Sequence, residues 1–331
     1  MLKILGFFLS FLLLVSCASQ QVVIYKEIYV PEEAGIKLVQ YTEDSENVNA
    51  PIVRKLYNNK TSSEYLIWNA SQQIALSTDG KLAYIGSKNK YHNLYIKSVL
   101  GGRALTQRTF NRNINAMCFS PDNRYIAFSE TKNNNSNIFK IRSEGGVAVE
   151  QLVSTQANEY SPQFSIDGRT IIYSKSDGYN YSIWSYDTET SLNTQYTEGF
   201  TPSVSPDGET IFVTRNSKDG NNRGEIWMVN LRTGSETILV SDPEIGFSSP
   251  QVSPDGRNLV FVGTTGGTDT KPINLDIFMI RTDGTKMKQL TFHGGNDLSP
   301  IWYNNGKHIF FLSQRGSEDG KYNVWKMDVI L

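Results

Sequence analysis

Catalysis needs nucleophiles, acids, bases or metal ligands at workable spacings, and this chain of 331 residues offers few. Its three histidines, His92, His293 and His308, are far apart, with no His-x-His or His-x-x-x-His pair to start a metal site. No Gly-x-Ser-x-Gly elbow occurs. Asp219-Gly220-Asn221-Asn222-Arg223-Gly224-Glu225 alternates oxygen-bearing side chains as a calcium loop does, without the register of one. A hairpin loop rich in turn-formers accounts for the same residues. Gly263-Thr264-Thr265-Gly266-Gly267 is not followed by a helical pattern, so it is not read as a phosphate cradle. With 32 basic residues against 33 acidic ones, the net charge of −1 leaves no footprint for nucleic acid. No catalytic residue, cofactor or metal ligand set is assigned, and the candidates that remain are binding residues.

The elements that position them are marked by one repeated phrase. Ser205-Pro206-Asp207-Gly208 and Ser253-Pro254-Asp255-Gly256 are full copies. Ser77-Thr78-Asp79-Gly80, Ser120-Pro121-Asp122-Asn123, Ser165-Ile166-Asp167-Gly168 and Tyr303-Asn304-Asn305-Gly306 are worn ones. Proline presets φ, aspartate caps its own backbone, and glycine or asparagine takes the left-handed position of a tight hairpin. These aspartates are therefore turn-formers, not catalytic acids. A short apolar strand precedes each turn and another follows it. A third strand carries an aromatic at a matched place: Tyr95, Phe139, Trp184, Trp227, Phe278 and Trp325. These rings are expected to pack blade against blade. From Asp79 through Asp122, Asp167, Asp207 and Asp255 to Asn305 the spacings are 43, 45, 40, 48 and 50 residues. Periods of that length with about four strands each mark propeller blades. The fold class is all-β, a six-bladed β-propeller of four-stranded antiparallel blades.

Six registered copies of this turn, followed by strands such as Asn137-Ile138-Phe139-Lys140-Ile141 and Asp276-Ile277-Phe278-Met279-Ile280, resemble the TolB-type, WD-like propeller repeat over residues 62–331. The resemblance implies an envelope protein that binds another protein. It departs from TolB in lacking the α/β domain that precedes the TolB propeller.

The N-terminus carries a second resemblance. After Lys3, the apolar run from Ile4 to Val15 is too short to span a bilayer and fits a secretory signal. Leu14-Val15-Ser16-Cys17 resembles the bacterial lipobox, which implies cleavage after residue 16 and acylation of Cys17. Ala18 resembles the outer-membrane sorting class, so the expected location is the envelope, lipid-anchored at the outer membrane. Cys118 would then be the sole thiol, and its apolar strand makes it a buried core residue. Residues 17–61 are expected to form a tether, with a possible strand at 21–30.

Blade six shows three strands before Leu331, and an open edge would invite aggregation. An N-terminal strand is expected to close the ring, with 64–68 the first candidate and 52–57 the second. In such a blade the Ser-Pro-Asp-Gly turns share one face with the turns between strands three and four. The loops between strands two and three share the other face with the links to the next blade. That second face has the longest loops, 215–225, 263–276 and 314–323. Its links bring Tyr160, Phe200, Phe247, His293 and Asp297 to the channel mouth, and they form the expected partner-binding set. Packing beneath the links is the alternative for those rings. His92 is expected in a loop of blade one, and His308 at a strand start. Two functions follow: a non-catalytic, lipid-anchored module that binds an envelope protein, or a propeller enzyme or receptor acting on a carbohydrate or peptide in the channel.

Overall fold

The structure is a computed structural model. It describes residues 36–43, 46, 48, 49, 56, 57, 64, 65 and 72–329, apart from 102, 103, 179, 219–222, 266–272 and 318. Six antiparallel four-stranded sheets follow one another along the chain. Their inner strands are Ile74–Leu76, Ile114–Phe119, Asn158–Phe164, Phe200–Val204, Phe247–Val252 and Asp297–Trp302. Neighbouring inner strands touch, and that of blade six touches that of blade one, so the sheets form a ring. In blades one to five the second, third and fourth strands lie outward in chain order.

Each turn is wired as its letters predict. In blade five the Ser253 hydroxyl donates to Asp255 at 2.5 Å and accepts from the Asn258 amide at 2.9 Å. Asp255 also accepts from the Arg257 amide at 3.1 Å. Gly208 and Gly256 sit at φ 73°, and Asn123 takes the same role at φ 62°. The turns also touch one another. Thr78 and Asn123 exchange two hydrogen bonds, of 3.0 and 2.6 Å, and Asn304 donates to the Thr78 carbonyl at 2.6 Å. A Cβ on Gly168 would meet Pro121 at 3.6 Å, and one on Gly256 would meet Pro206 at 3.5 Å. The result is a collar around one face.

Alternate residues of each sheet fill the seams between blades. Between five and six lie Val260, Ile277, Met279, Trp302, Ile309 and Trp325. The matched aromatics join these seams: Tyr95 stacks on Tyr84 and Phe139 on Phe128, each with centroids 5.7 Å apart. Cys118 is buried between blades two and three, and burial pushes its thiol up to about 12.

An N-terminal strand closes the ring, but it is Leu38–Gln40, not 64–68. Leu38 pairs with Met327 and Gln40 with Trp325. Beyond the strand, Tyr41 N donates to the Val324 carbonyl at 2.7 Å, and Thr42 Oγ1 accepts from Val324 N at 2.8 Å. Glu64–Tyr65 instead pairs with Leu56–Tyr57, part of the second candidate, in a two-stranded hairpin. The run at 64–68 is the more apolar, but the ring needs a strand whose Leu38 and Ile36 reach the five–six seam, and the 36–40 segment has that pattern. The closing strand thus comes from the segment expected to be tether. The expected strand at 21–30 lies outside the described residues.

Candidate partner-binding face

Four inner strands carry an unusual pair: Ser161-Pro162, Thr201-Pro202, Ser249-Pro250 and Ser299-Pro300. Proline cannot donate to a ladder, so it survives only where a strand has a free edge or a bulge. An inner strand offers both. Its axial edge has no partner strand, and the register shifts at this point in each of the four blades. The residue before proline sits at φ 49°, 49°, 56° and 51° respectively. Two of these strained amides are captured by the preceding blade: Thr201 N by Ser174 Oγ at 3.0 Å, and Ser249 N by Thr214 Oγ1 at 3.2 Å. Strain of this kind holds only where the surroundings over-determine it. The bulges fix the channel mouth on the second face.

Around that mouth the expected binding residues separate. Phe200 is 4% exposed and tilts against Tyr181, with centroids 5.3 Å apart. Phe247 is fully buried, edge-on to Phe261 and Phe278 at 5.4 and 5.8 Å. Neither ring is accessible as an anchor. Phe247 pairs with Gly263, whose missing side chain makes room: a Cβ there would lie 2.5 Å from Phe278 and 3.2 Å from Phe247. Asp297 is buried too, in an ion pair with Arg315 at 2.6 Å. Burial pushes its carboxyl up, and Arg315 opposes that shift. The Arg315 guanidinium also lies over Phe311, 5.2 Å from the ring centroid. This pair is scaffold. Tyr160 and His293 remain half-exposed on the face. His293 accepts from Gly295 N at 3.0 Å, and its carbonyl accepts from Asn274 at 2.6 Å.

Two residues that the sequence reading passed over do reach solvent: Phe110, 58% exposed, and Phe292, 38%. They end matching phrases, Gln107-Arg108-Thr109-Phe110 and Gln289-Leu290-Thr291-Phe292. Each threonine turns inward, Thr109 accepting from Leu94 N and Thr291 from Ile277 N, both at 2.9 Å. The next residue is thereby turned outward. The repeat of Gln-x-Thr-Phe was the available signal.

The acid–base groups do not converge. His92 lies in the third strand of blade one, not in a loop, with Nδ1 2.9 Å from Ser87 Oγ. His308 starts its strand on the other face, 3.2 Å from Asp328. Glu159, fully buried at the start of the third inner strand, has its carboxyl raised by burial and bonded to Thr155. Among the described residues no three His, Cys, Asp or Glu side chains come together as metal ligands. Part of the 219–225 loop lies outside those residues.

A ring of six such blades defines a six-bladed propeller built on Ser-Pro-Asp-Gly turns. The family model described as the TolB beta propeller domain matches residues 73–223 and 177–330, so the chain belongs to the TolB β-propeller family. An uncharacterized protein of Agrobacterium fabrum, Atu1656, is 25% identical, covering 78% of this chain and 90% of its own length. The Tol-Pal system protein TolB of Francisella tularensis is 26% identical over 69% of this chain. The match spans only 55% of that relative's length. The crystal structure of TolB from Acinetobacter baumannii superposes with a TM-score of 0.63 at 18% identity, over 83% of this chain and 75% of that one, which shows the shared fold.

Proposed function

We propose that this chain is a non-catalytic, lipid-anchored propeller of the bacterial cell envelope that binds another envelope protein through its second face. The observation that carries the reading is the pair Phe110 and Phe292, exposed on matching links of the face that also carries half-exposed Tyr160 and His293. Exposed aromatics on a rigid scaffold are typical anchors. The family supports a protein partner, since its namesake relative belongs to a Tol-Pal system. The lipobox-like Leu14-Val15-Ser16-Cys17 and Ala18 support acylation at Cys17 and residence at the outer membrane. Crosslinking in the native envelope, followed by mass spectrometry, identifies the partner. The variant Phe110→Ala/Phe292→Ala is expected to lose at least tenfold in capture with unchanged thermal stability. Capture that survives this variant and falls instead on replacing Ile166 and Leu192, exposed by 59% and 62% on the turn face, moves the site to the opposite side.

One observation favours the enzymatic alternative: Glu159, at the start of the third inner strand, is an acid whose pKa is raised by burial. Loss of a turnover on carbohydrate or peptide substrates in Glu159→Gln would establish it.

A further inference from the structure

The turn face carries a groove that the partner-binding reading leaves unused. It has a volume of about 440 Å3 and is lined by Arg257, Arg281, Lys286 and Lys288 with Asp255 and Asp283. The two acids are occupied by their own turns. Asp255 holds Ser253 and the Arg257 amide, and Asp283 accepts from the Thr285 hydroxyl at 2.6 Å and its amide at 2.9 Å. These bonds hold both carboxyls below the ordinary range, with a lesser contribution to Asp283 from Arg281 and Lys286. Among the described residues, Arg257, Arg281 and Lys286 enter no ion pair. The groove therefore presents an excess of positive charge to solvent.

Its position identifies an occupant. Met279, on the groove wall, belongs to the five–six seam that Ile36 and Leu38 of the closing strand pack against. The turn collar is open at this seam, since a Cβ on Gly306 would meet nothing within 4 Å. The chain thus enters the fold beside the groove. Ile36 and Leu38 share the face toward blade five, and the chain before Ile36 reaches the ring at this place. The nine residues Glu27-Ile28-Tyr29-Val30-Pro31-Glu32-Glu33-Ala34-Gly35 carry three acids and no Lys or Arg. Glu33 is three residues from Ile36, within roughly 10 Å along the chain.

We propose that the groove of blade five is the docking site of this chain's own entry segment, with Glu32 and Glu33 set among Arg257, Arg281, Lys286 and Lys288. Each exposed pair is weak by itself. The short link to Ile36 supplies a high effective concentration, so weak pairs suffice, and salt loosens them. Docking pins the free end of the strand that closes the ring. Where Cys17 is acylated, it also holds the turn face toward the membrane and the second face outward. That last consequence rests on the anchor reading, whereas the docking does not.

Zero-length carbodiimide crosslinking of the full mature chain, read by mass spectrometry, tests the proposal. Glu32 or Glu33 is expected to link within one chain to Lys286 or Lys288, with the yield falling at least fivefold in 1 M NaCl, where the screening length is about 3 Å. Glu32→Lys/Glu33→Lys should abolish the link. Adding Lys286→Glu and Lys288→Glu to that variant should restore crosslinking between the same positions with the charges exchanged. Equal linkage of Glu32 and Glu33 to remote lysines such as Lys140 and Lys175, or no rescue by the exchange, overturns the proposal. So does an Arg281→Glu/Lys286→Glu variant that crosslinks like wild type but no longer binds phosphatidylglycerol vesicles, because the groove would then serve the membrane. Capture through Phe110 and Phe292 is read separately and stands or falls independently.

Discussion

At the scale of single residues, the turn aspartates make the acid limit of this fold calculable in sign. Asp122, Asp167, Asp207 and Asp255 are held below the ordinary range, chiefly by the serine hydroxyl two residues earlier. Their folded pKa values lie under the unfolded value of about 3.9, so their stabilisation is complete above that pH. It is lost as pH falls through the folded values. The melting temperature should be level down to about pH 5 and drop below about pH 4, with a smaller drop in Asp255→Asn. Glu159 has the opposite sign. Its raised pKa favours the neutral acid in the native state, so stability is lost as pH rises through that value. Glu159→Gln should therefore melt no lower than wild type at pH 7, and a lower melt would mean that the ionised carboxylate has a partner. The buried Asp297–Arg315 pair behaves differently again. Truncating one member strands a charge, and Asp297→Ala should lose about 3–5 kcal/mol in denaturant unfolding. Its sequence signal, an acid at a strand start, did not distinguish a binding residue from a buried one. Burial belongs to the neighbouring blade, not to the residue.

At the scale of elements, the closing strand is the decisive one. Deleting residues 1–35 leaves Leu38–Gln40 and Thr42 in place and should give a folded, soluble ring. Deleting 1–43 exposes the edge of Asn323–Asp328 and should aggregate or melt at least 5 °C lower by scanning calorimetry. Indistinguishable truncations would show that the pairing of Leu38 with Met327 does not hold the ring. The turns were legible because each is closed by its own four or five residues. The closing strand was not, because three residues with a weak alternation compete poorly, in any local reading, with the apolar run at 64–68. The Ser/Thr-Pro pairs are equally plain in the sequence. Their meaning depends on knowing that an inner strand has a free axial edge.

At the scale of the whole molecule, anchoring and partner choice are separable. Cys17→Ala should abolish fatty-acid labelling and detergent partitioning while leaving the propeller's melting curve unchanged, because the strands that build the ring run from Leu38 to Asp328. Equal labelling in that variant would remove the lipoprotein reading. The two faces are also separable in principle. One is a collar of repeated turns locked to one another, and the other carries the links and the variable loops. Recognition is expected where the structure varies and the scaffold does not.

The sequence by itself determined the blade count, the turn chemistry, the matched seam aromatics and the burial of Cys118. The first three are written in a local period that recurs six times, so that repetition strengthens a weak local signal, and Cys118 is placed by the apolar strand around it. Only the tertiary structure decided which segment closes the ring and which aromatics reach solvent. Phe247 is buried because Gly263 and Phe278 are shaped around it, and Phe110 is exposed because Thr109 turns inward to Leu94. Both outcomes depend on residues at least fifteen positions away, brought close by strand pairing and blade packing rather than by the local pattern.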